Sequence, residues 1–256
     1  VANSYLIEAT AGQLPEDKII HVSARGECKK KYRITTKIDN HKNVIKEPCH
    51  IEAIDHVKNI YLTNELFLNR GIKVLPATYK EDKLVLKYFE GKKADKEFIK
   101  YLRTNDLKSL CAMIDNLRSN IIKSSEIVQD GKNIIDENNL SEKAYDYGMI
   151  LECGYIDMTF YNAFYEEGDL IFFDQEWKFD NVPLNFILYY AIKCVYNRAQ
   201  VKSSISFDVL LDYIGIKDEY KIYDKLEEFI WSTVLYRQGD FYGEDGYCNQ
   251  YNENLT

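Results

Sequence analysis

The sequence lacks any apolar run near the ~18 residues that a membrane-spanning helix needs. It also lacks a signal-peptide pattern at its N-terminus. Its six cysteines include no CxxC pair, and its four histidines are not spaced with them. These absences argue against a transmembrane segment, a zinc site and a disulfide framework. We therefore expect a cytoplasmic protein whose thiols are free.

Basic residues are in the minority, with 33 Lys and Arg against 41 Asp and Glu, which gives a formal net charge of −8. Proteins that bind nucleic acids neutralise phosphates with an excess of positive charge. The acidic balance therefore argues against a nucleic-acid partner. The 256 residues are 46% hydrophobic and 29% charged, which suits a globular protein of one large domain or two lobes.

The pattern of residues 1–91 predicts a β-rich N-terminal lobe with one helix. Short runs of strand type occur at 19–23, 32–38, 43–46, 72–79 and 84–89. Between the third and fourth runs, apolar residues recur at helical spacing over 51–68, and Asn69-Arg70-Gly71 is typical of a helix end. The predicted order is β-β-β-α-β-β, with an antiparallel sheet.

The pattern of residues 92–256 predicts a larger and mainly helical C-terminal lobe. Helical spacing occurs at 98–102, 107–128, 183–198, 205–214 and 220–237. A β-hairpin interrupts these helices, with its turn at 166–169. The fold class we expect is therefore α+β with two lobes, divided at residue 91.

The hairpin region, YIDMTFYNAFYEEGDLIFFDQEW at 155–177, carries the strongest chemical signal. Asn162 follows Asp157 by five positions, and Asp174 follows Asn162 by twelve. Kinases of the protein-kinase type space a catalytic aspartate, an asparagine and a metal-binding aspartate in this way. Oxygen ligands of these types suit Mg²⁺. We predict that Asp157 is catalytic and that Asn162 and Asp174 bind the metal.

Two other interpretations of this region do not involve a kinase site. A hairpin with acidic ends would need no function at all. A glycosidase-like pair formed by Asp157 and Asp174 would use two carboxylates, but it explains neither Asn162 nor Lys46.

Lys46 lies on the third predicted strand, just before the helix, where kinases place the lysine that contacts the α- and β-phosphates. The alternative is an ordinary surface lysine on a strand. A carboxylate on the helix should pair with Lys46, and Glu52 and Asp55 are the candidates. We favour Glu52 because its side chain has the longer reach.

Two further segments are candidates for nucleotide contact. The loop 23–27, with Arg25 at its centre and a single glycine, would cover the phosphates. The segment 87–91 joins the predicted lobes, and its backbone, at Lys87 and Phe89 in particular, would bind the adenine.

The DQEW ending, the YNAF strand, the ARGECKKKYRITT opening and the AIDH helix resemble kinase domains of bacterial surface-polysaccharide proteins. The nearest are the kinase parts of the methyltransferase–kinases that terminate O-antigen chains. More distantly, the chain is similar to aminoglycoside and choline phosphotransferases. The resemblance spans about residues 17–200. It implies a protein-kinase-like fold, ATP with Mg²⁺, and an acceptor hydroxyl on a sugar, a polysaccharide end or another small molecule.

The chain departs from this family pattern in two places. Tyr155 stands where the catalytic loop usually has a histidine, and Gln175 follows Asp174 where protein kinases have Phe-Gly. The first departure keeps open a second function, a nucleotide-binding pseudokinase that acts as a scaffold in a larger surface-polysaccharide biosynthesis protein. Because the chain begins at Val1 and not at Met, we expect it to be part of a longer polypeptide, with a fused glycosyltransferase or methyltransferase as candidate.

Overall fold

The structure is a computed structural model that describes residues 18–129, 131–142, 146–216 and 220–236. Within these ranges, the helices are all too short or too polar to cross a membrane. The described residues form two compact units. One comprises 18–61, 76–88 and 228–236, and the other comprises the described residues of 62–75 and 89–227. The boundary predicted at residue 91 stays a prediction.

The first unit is built on a five-stranded antiparallel sheet with the strand order β1-β2-β3-β5-β4. Its strands are β1 (Ile19–Ala24), β2 (Ile34–Asp39), β3 (Asn43–Pro48), β4 (Ala77–Lys80) and β5 (Lys83–Lys87). Helix α1 (Ile54–Asn69) lies between β3 and β4 in the chain. Strands β2 and β3 contain β-branched residues, such as Ile34, Thr35 and Val44, which favour extended backbone.

The core of this unit joins the sheet to the first half of α1. Ile34 and Leu84 from the strands pack with Val57 and Ile60 from the helix, and all four are buried. At the other end, α1 finishes as predicted: Gly71 has a left-handed backbone (φ 70°), and the N–H of Ile72 donates to the carbonyl of Phe67 at 2.9 Å. This is the Schellman arrangement that glycine permits.

The second unit is mainly helical and contains two short antiparallel strand pairs. The pairs are β6 (Ile150–Tyr155) with β9 (Lys178–Pro183), and β7 (Ala163–Glu166) with β8 (Asp169–Phe172). The helices are α2 (Ala94–Arg103), α3 (Leu107–Ser124), α4 (Ile134–Glu137), α5 (Leu184–Ala199), α6 (Phe207–Ile214) and α7 (Tyr220–Val234), of which 228–234 belong to the first unit. Helix α5 is apolar on most of its surface and forms the centre of this core.

The predicted α+β class is confirmed, as is the order β-β-β-α-β-β followed by helices. The strand predicted over 72–79 is wrong in its first half, because only Ala77–Lys80 belongs to the sheet. Proline at position 76 has no N–H to give to a sheet ladder. Residues 73–75 instead bond to β8 in the second unit, where the N–H of Leu75 donates to the carbonyl of Phe172 at 2.9 Å. The β6–β9 pair was not predicted.

Gly154 allows β6 and β9 to lie close together. A Cβ atom at this position would lie 2.4 Å from the Cβ of Val182, far inside normal contact. We expect Gly154→Ala to lower the free energy of unfolding by about 1–3 kcal/mol through overpacking. Urea denaturation measures this, with Glu152→Ala at an exposed position of the same strand as the control. Equal stability of the two variants would contradict the close packing.

Candidate active site

Asp157 lies in the turn that follows β6. The N–H of Ile156 still donates to the carbonyl of Trp177 at 2.9 Å, so the β6–β9 pairing continues to the residue before Asp157. Beyond Asp157 the chain turns back, and the N–H of Thr159 donates to the carbonyl of Asp157 at 2.7 Å. Met158 and Phe160 are fully buried and anchor this turn on the core.

Three groups donate hydrogen bonds to the Asp157 carboxylate. The side-chain amide of Asn162 donates to Oδ1 at 3.2 Å. The backbone N–H groups of Glu176 and Trp177 donate to Oδ2 at 2.8 and 3.1 Å. The carboxylate therefore has a single orientation, set by residues from both ends of the hairpin. The structure thus brings Asp157 and Asn162, two of the three residues predicted in the hairpin region, into direct contact.

The β7–β8 hairpin brings Asp174 close to Asn162 along the main chain. Its register pairs Ala163 with Phe172, and the N–H of Phe173 then donates to the carbonyl of Asn162 at 3.0 Å. Asp174, the next residue, has a left-handed backbone with φ 59°. This conformation is uncommon outside glycine, although aspartate tolerates it better than most residues. It ends the hairpin one residue before the segment that binds the Asp157 carboxylate.

Gln175 is a site residue that the sequence reasoning missed. Its side chain is buried, and Nε2 donates both to the carbonyl of Asp157 at 3.0 Å and to the carbonyl of Phe173 at 2.9 Å. It therefore ties the turn that holds Asp157 to the strand end that holds Asp174. Its place directly after Asp174 in DQEW was the only available signal.

Residues distant in the sequence hold the hairpin in place. Lys73 forms an ion pair with Asp169 at 2.6 Å, and this hydrogen bond lowers the pKa of Asp169. Asn116 on α3 donates to the carbonyl of Gly168 at 3.2 Å. The N–H of Phe172 donates to the carbonyl of Lys73 at 2.8 Å, which extends the hairpin by a third chain segment. The hairpin is thus fixed at its turn and along one edge.

Helix α5 passes near Asp157. Burial raises the pKa of Tyr190 on this helix, and the neighbouring Cys194 and the Asp157 carboxylate add to the shift. Helix α5 also packs against the 3-10 turn Phe160–Asn162, which follows Asp157 in the chain. Burial also raises the pKa of Cys194, to about 11, which keeps this thiol protonated at neutral pH.

The other predicted nucleotide residues, except Phe89, belong to the first unit. Lys46 is buried in β3, between Thr36 of β2 and Leu84 of β5, so it is not an ordinary surface lysine. Arg25 is exposed in the turn after β1. The Nζ of Lys87 donates to the side-chain oxygen of Asn43 at 2.5 Å.

The pairing of Lys46 with a carboxylate near the start of α1 stays a prediction. Helix α1 begins at Ile54, later than predicted, and Glu52 is exposed in a 3-10 turn formed by Ile51–Ala53. Asp55, the other candidate, is also exposed. The start of this helix was the feature that the apolar pattern could not define.

Phe89 belongs to an aromatic cluster in the second unit. Its ring meets that of Phe164 edge-on, with centroids 4.8 Å apart, and Phe164 packs against Phe173 at 5.0 Å. The ammonium group of Lys93 lies 3.8 Å from the centre of the Phe173 ring. Burial lowers the pKa of Lys93, and the aromatic faces partly compensate its charge. This cluster directly precedes Asp174 in the chain.

The chemistry of these residues fits a magnesium ion that arrives with a nucleotide. Asn162 donates its amide nitrogen to Asp157, so its amide oxygen faces away from that carboxylate. Mg²⁺ typically takes one or two protein oxygens and completes its shell with water and phosphates. Within the part of the chain that the structure describes, no group of three His, Cys, Asp or Glu could hold a metal ion. A metal site made only of such side chains is therefore not observed there.

Comparisons with known proteins give little sequence support. No protein-family model and no curated protein matches the chain. Among solved structures, the ADP-bound aminoglycoside phosphotransferase APH(2'')-Ib is 14% identical with a TM-score of 0.44, over 93% of this chain and 91% of that one. The macrolide 2'-phosphotransferase MphH from Brachybacterium faecium is 9% identical with a TM-score of 0.35, over 81% and 86%. Likeness at this level identifies neither family nor activity.

Gln175 provides a test of how the site is held together. Gln175→Met keeps the volume but removes the donor to the carbonyls of Asp157 and Phe173. We expect the free energy of unfolding to fall by about 1–3 kcal/mol, as for other unsatisfied buried polar groups. Gln175→Glu should lower the free energy of unfolding further at neutral pH, because it buries a charge between two carbonyls. Native stability of both variants in urea would contradict this role.

Proposed function

We propose that the chain is an ATP- and Mg²⁺-dependent phosphotransferase that moves the γ-phosphate to a hydroxyl of a sugar, a polysaccharide end or another small molecule. One observation carries the proposal: the Asp157 carboxylate is held by Asn162 and by the backbone directly after Asp174. Phosphoryl transfer asks the protein mainly to position groups and to stabilise charge. An oriented carboxylate bonded to an amide, with a second carboxylate just before the backbone donors, meets that demand.

Each residue then has one task. Asp157 receives a hydrogen bond from the acceptor hydroxyl, orients it and accepts its proton as the oxygen attacks. The three donors on the Asp157 carboxylate keep it from rotating away. Asn162 and Asp174 would hold Mg²⁺, which when bound neutralises charge on the phosphates. The backbone after Asp174 links the metal ligand to the catalytic carboxylate, so both keep a constant spacing.

The remaining nucleotide contacts come from segments outside the hairpin region. Lys46 would contact the phosphates, and its burial supports a special role because lysines are seldom buried without one. Arg25 would add charge near the phosphates, and the backbone at Lys87 and Phe89 would bind the adenine. Glu52, exposed just before α1, would pair with Lys46.

The segment after Asp174 favours a small-molecule acceptor. Strand β9 begins at Lys178 and α5 at Leu184, so the chain returns to the core almost at once. An activation segment of the kind that docks protein substrates has no room here. An acceptor in surface-polysaccharide synthesis and a fusion to a glycosyltransferase or methyltransferase are proposals that follow from the sequence resemblance. A cytoplasmic location is a proposal that follows from the scattered cysteines.

A pseudokinase scaffold is the second candidate function. It is favoured by Tyr155, which occupies the position of the usual catalytic-loop histidine. Tyr155 is buried, and its ring packs edge-on against Phe67 with centroids 4.7 Å apart. The aromatic pair buttresses the turn before Asp157 in place of a polar histidine. Since the turn remains supported, we rank the active phosphotransferase first.

Two variants separate binding from transfer. Asp174→Asn should abolish the Mg²⁺-dependent rise in melting temperature with ATP, because it removes the carboxylate ligand. Asp157→Asn should keep this rise but transfer phosphate to acceptors, or to water, about 10²–10⁴-fold more slowly. Thermal shift and ADP release measure the two effects.

The matched control is Asp180→Asn, which removes an equal charge from an exposed position on β9. It should behave like the native chain in both assays. Mg²⁺-dependent ATP binding without any transfer, native or variant, would favour the pseudokinase. ATP binding that is unaffected by Asp174→Asn would contradict the metal site.

A further inference from the structure

The loop between Asp157 and Asn162 presents very little to an incoming acceptor. Met158, Thr159 and Phe160 are buried, and only Tyr161 is partly exposed. If Asp157 binds the reacting hydroxyl, the rest of the acceptor must lie against this loop and the elements beside it. Tyr161 is therefore the loop's main contact surface for the acceptor.

Arg198 covers this tyrosine. The centre of its guanidinium lies 4.8 Å from the centroid of the Tyr161 ring, within the range of a cation–π contact. Burial raises the pKa of Tyr161, while the charge of Arg198 acts in the opposite direction. The planar guanidinium is thus held against an aromatic ring right beside the catalytic loop.

Arg198 differs from its neighbouring cation in having no carboxylate partner. Among the described residues, none lies within ion-pair distance of its guanidinium. Lys193, earlier on the same helix, is neutralised by Asp224 at 2.5 Å and by Glu227 at 2.7 Å. The exposed charge of Arg198 is therefore available to a ligand, whereas that of Lys193 is used to hold α5 to α7.

The position of Arg198 on α5 links it to Asp157. Tyr190, Cys194 and Arg198 are spaced by four residues and share one face of the helix. Helix α5 packs against the 3-10 turn Phe160–Asn162, and Arg198 at its end contacts Tyr161 of this turn. Arg198 therefore lies beside the loop that begins at Asp157.

We propose that Arg198 and Tyr161 form an anion-binding subsite for the acceptor, which carries a phosphate or carboxylate group in addition to the reacting hydroxyl. This inference rests on the proposed function. The N–H groups of a guanidinium form a planar fork that matches these two anions, and the contact with Tyr161 limits the positions that Arg198 can take. The overall charge of −8 does not oppose it, because recognition depends on the local field.

The test compares acceptors that differ in charge. Glucose, glucosamine, glucuronic acid and glucose 6-phosphate are offered with Mg²⁺ and ATP, and kcat/KM is measured for each. In parallel, the Kd of each sugar is measured on protein saturated with Mg²⁺ and a non-hydrolysable ATP analogue. Binding therefore decides the question even if none of the four is turned over. The two anionic sugars distinguish a carboxylate from a phosphate subsite.

The variants are Arg198→Gln and, as the matched control, Lys202→Gln, which removes an equal charge from an exposed position shortly after α5. We expect the native chain to favour at least one anionic sugar over glucose by about tenfold or more, the value of a charge-assisted hydrogen bond. This ratio should collapse in Arg198→Gln and persist in Lys202→Gln. If the role of Arg198 were purely structural, Arg198→Gln would change the Kd and kcat/KM of all four sugars to the same extent.

A preference for glucose or glucosamine, or an anion preference that survives in Arg198→Gln, would overturn the subsite. Binding of Mg²⁺ and the ATP analogue is recorded in the same samples. If the nucleotide fails to bind, the proposed function itself fails. If it binds and the anionic sugars show no advantage, only the anion subsite is wrong.

Discussion

The site depends on the hydrogen bonds that the Asp157 carboxylate accepts. Its two oxygens receive donors from Asn162, on the near side of the hairpin, and from the backbone of Glu176 and Trp177, on the far side. One carboxylate therefore closes a loop of about twenty residues on itself. Any change in the hairpin register would move Asn162 or the donor N–H groups, so the orientation of the Asp157 carboxylate depends on this register.

Contacts on both sides of the hairpin hold this closed loop in place. The hairpin turn is fixed by Lys73 and Asn116, and the close β6–β9 packing at Gly154 fixes the opposite side. The left-handed backbone of Asp174 is a conformation that persists where neighbouring contacts enforce it. Gln175 supplies such a contact, because its side chain binds the carbonyl of Phe173, just before this bend, and the carbonyl of Asp157.

Local patterns predicted much of this, and long-range contacts did not follow from them. The spacing of Asp157 and Asn162 and the hairpin turn are local, so the sequence predicted the side chains that meet there. The β6–β9 pair and the Lys73–Asp169 ion pair join residues far apart in the chain, and no local sequence pattern predicts them. Helix α1 starts later than its apolar pattern indicated, because Ile51–Ala53 form a 3-10 turn. Arg198 has the sequence pattern of an ordinary charge at a helix end, and its contact with Tyr161 is evident only in the structure.

The central claim is that Asn162 and Asp174 bind a nucleotide-associated metal beside Asp157. A crystal structure of the chain with Mn²⁺ and a non-hydrolysable ATP analogue tests it most directly, because Mn²⁺ replaces Mg²⁺ and has a distinct anomalous signal. We predict an anomalous peak within coordination distance of the Asn162 amide oxygen and the Asp174 carboxylate, with phosphate oxygens completing the shell. A nucleotide bound elsewhere, or a manganese ion that contacts neither residue, would contradict the account.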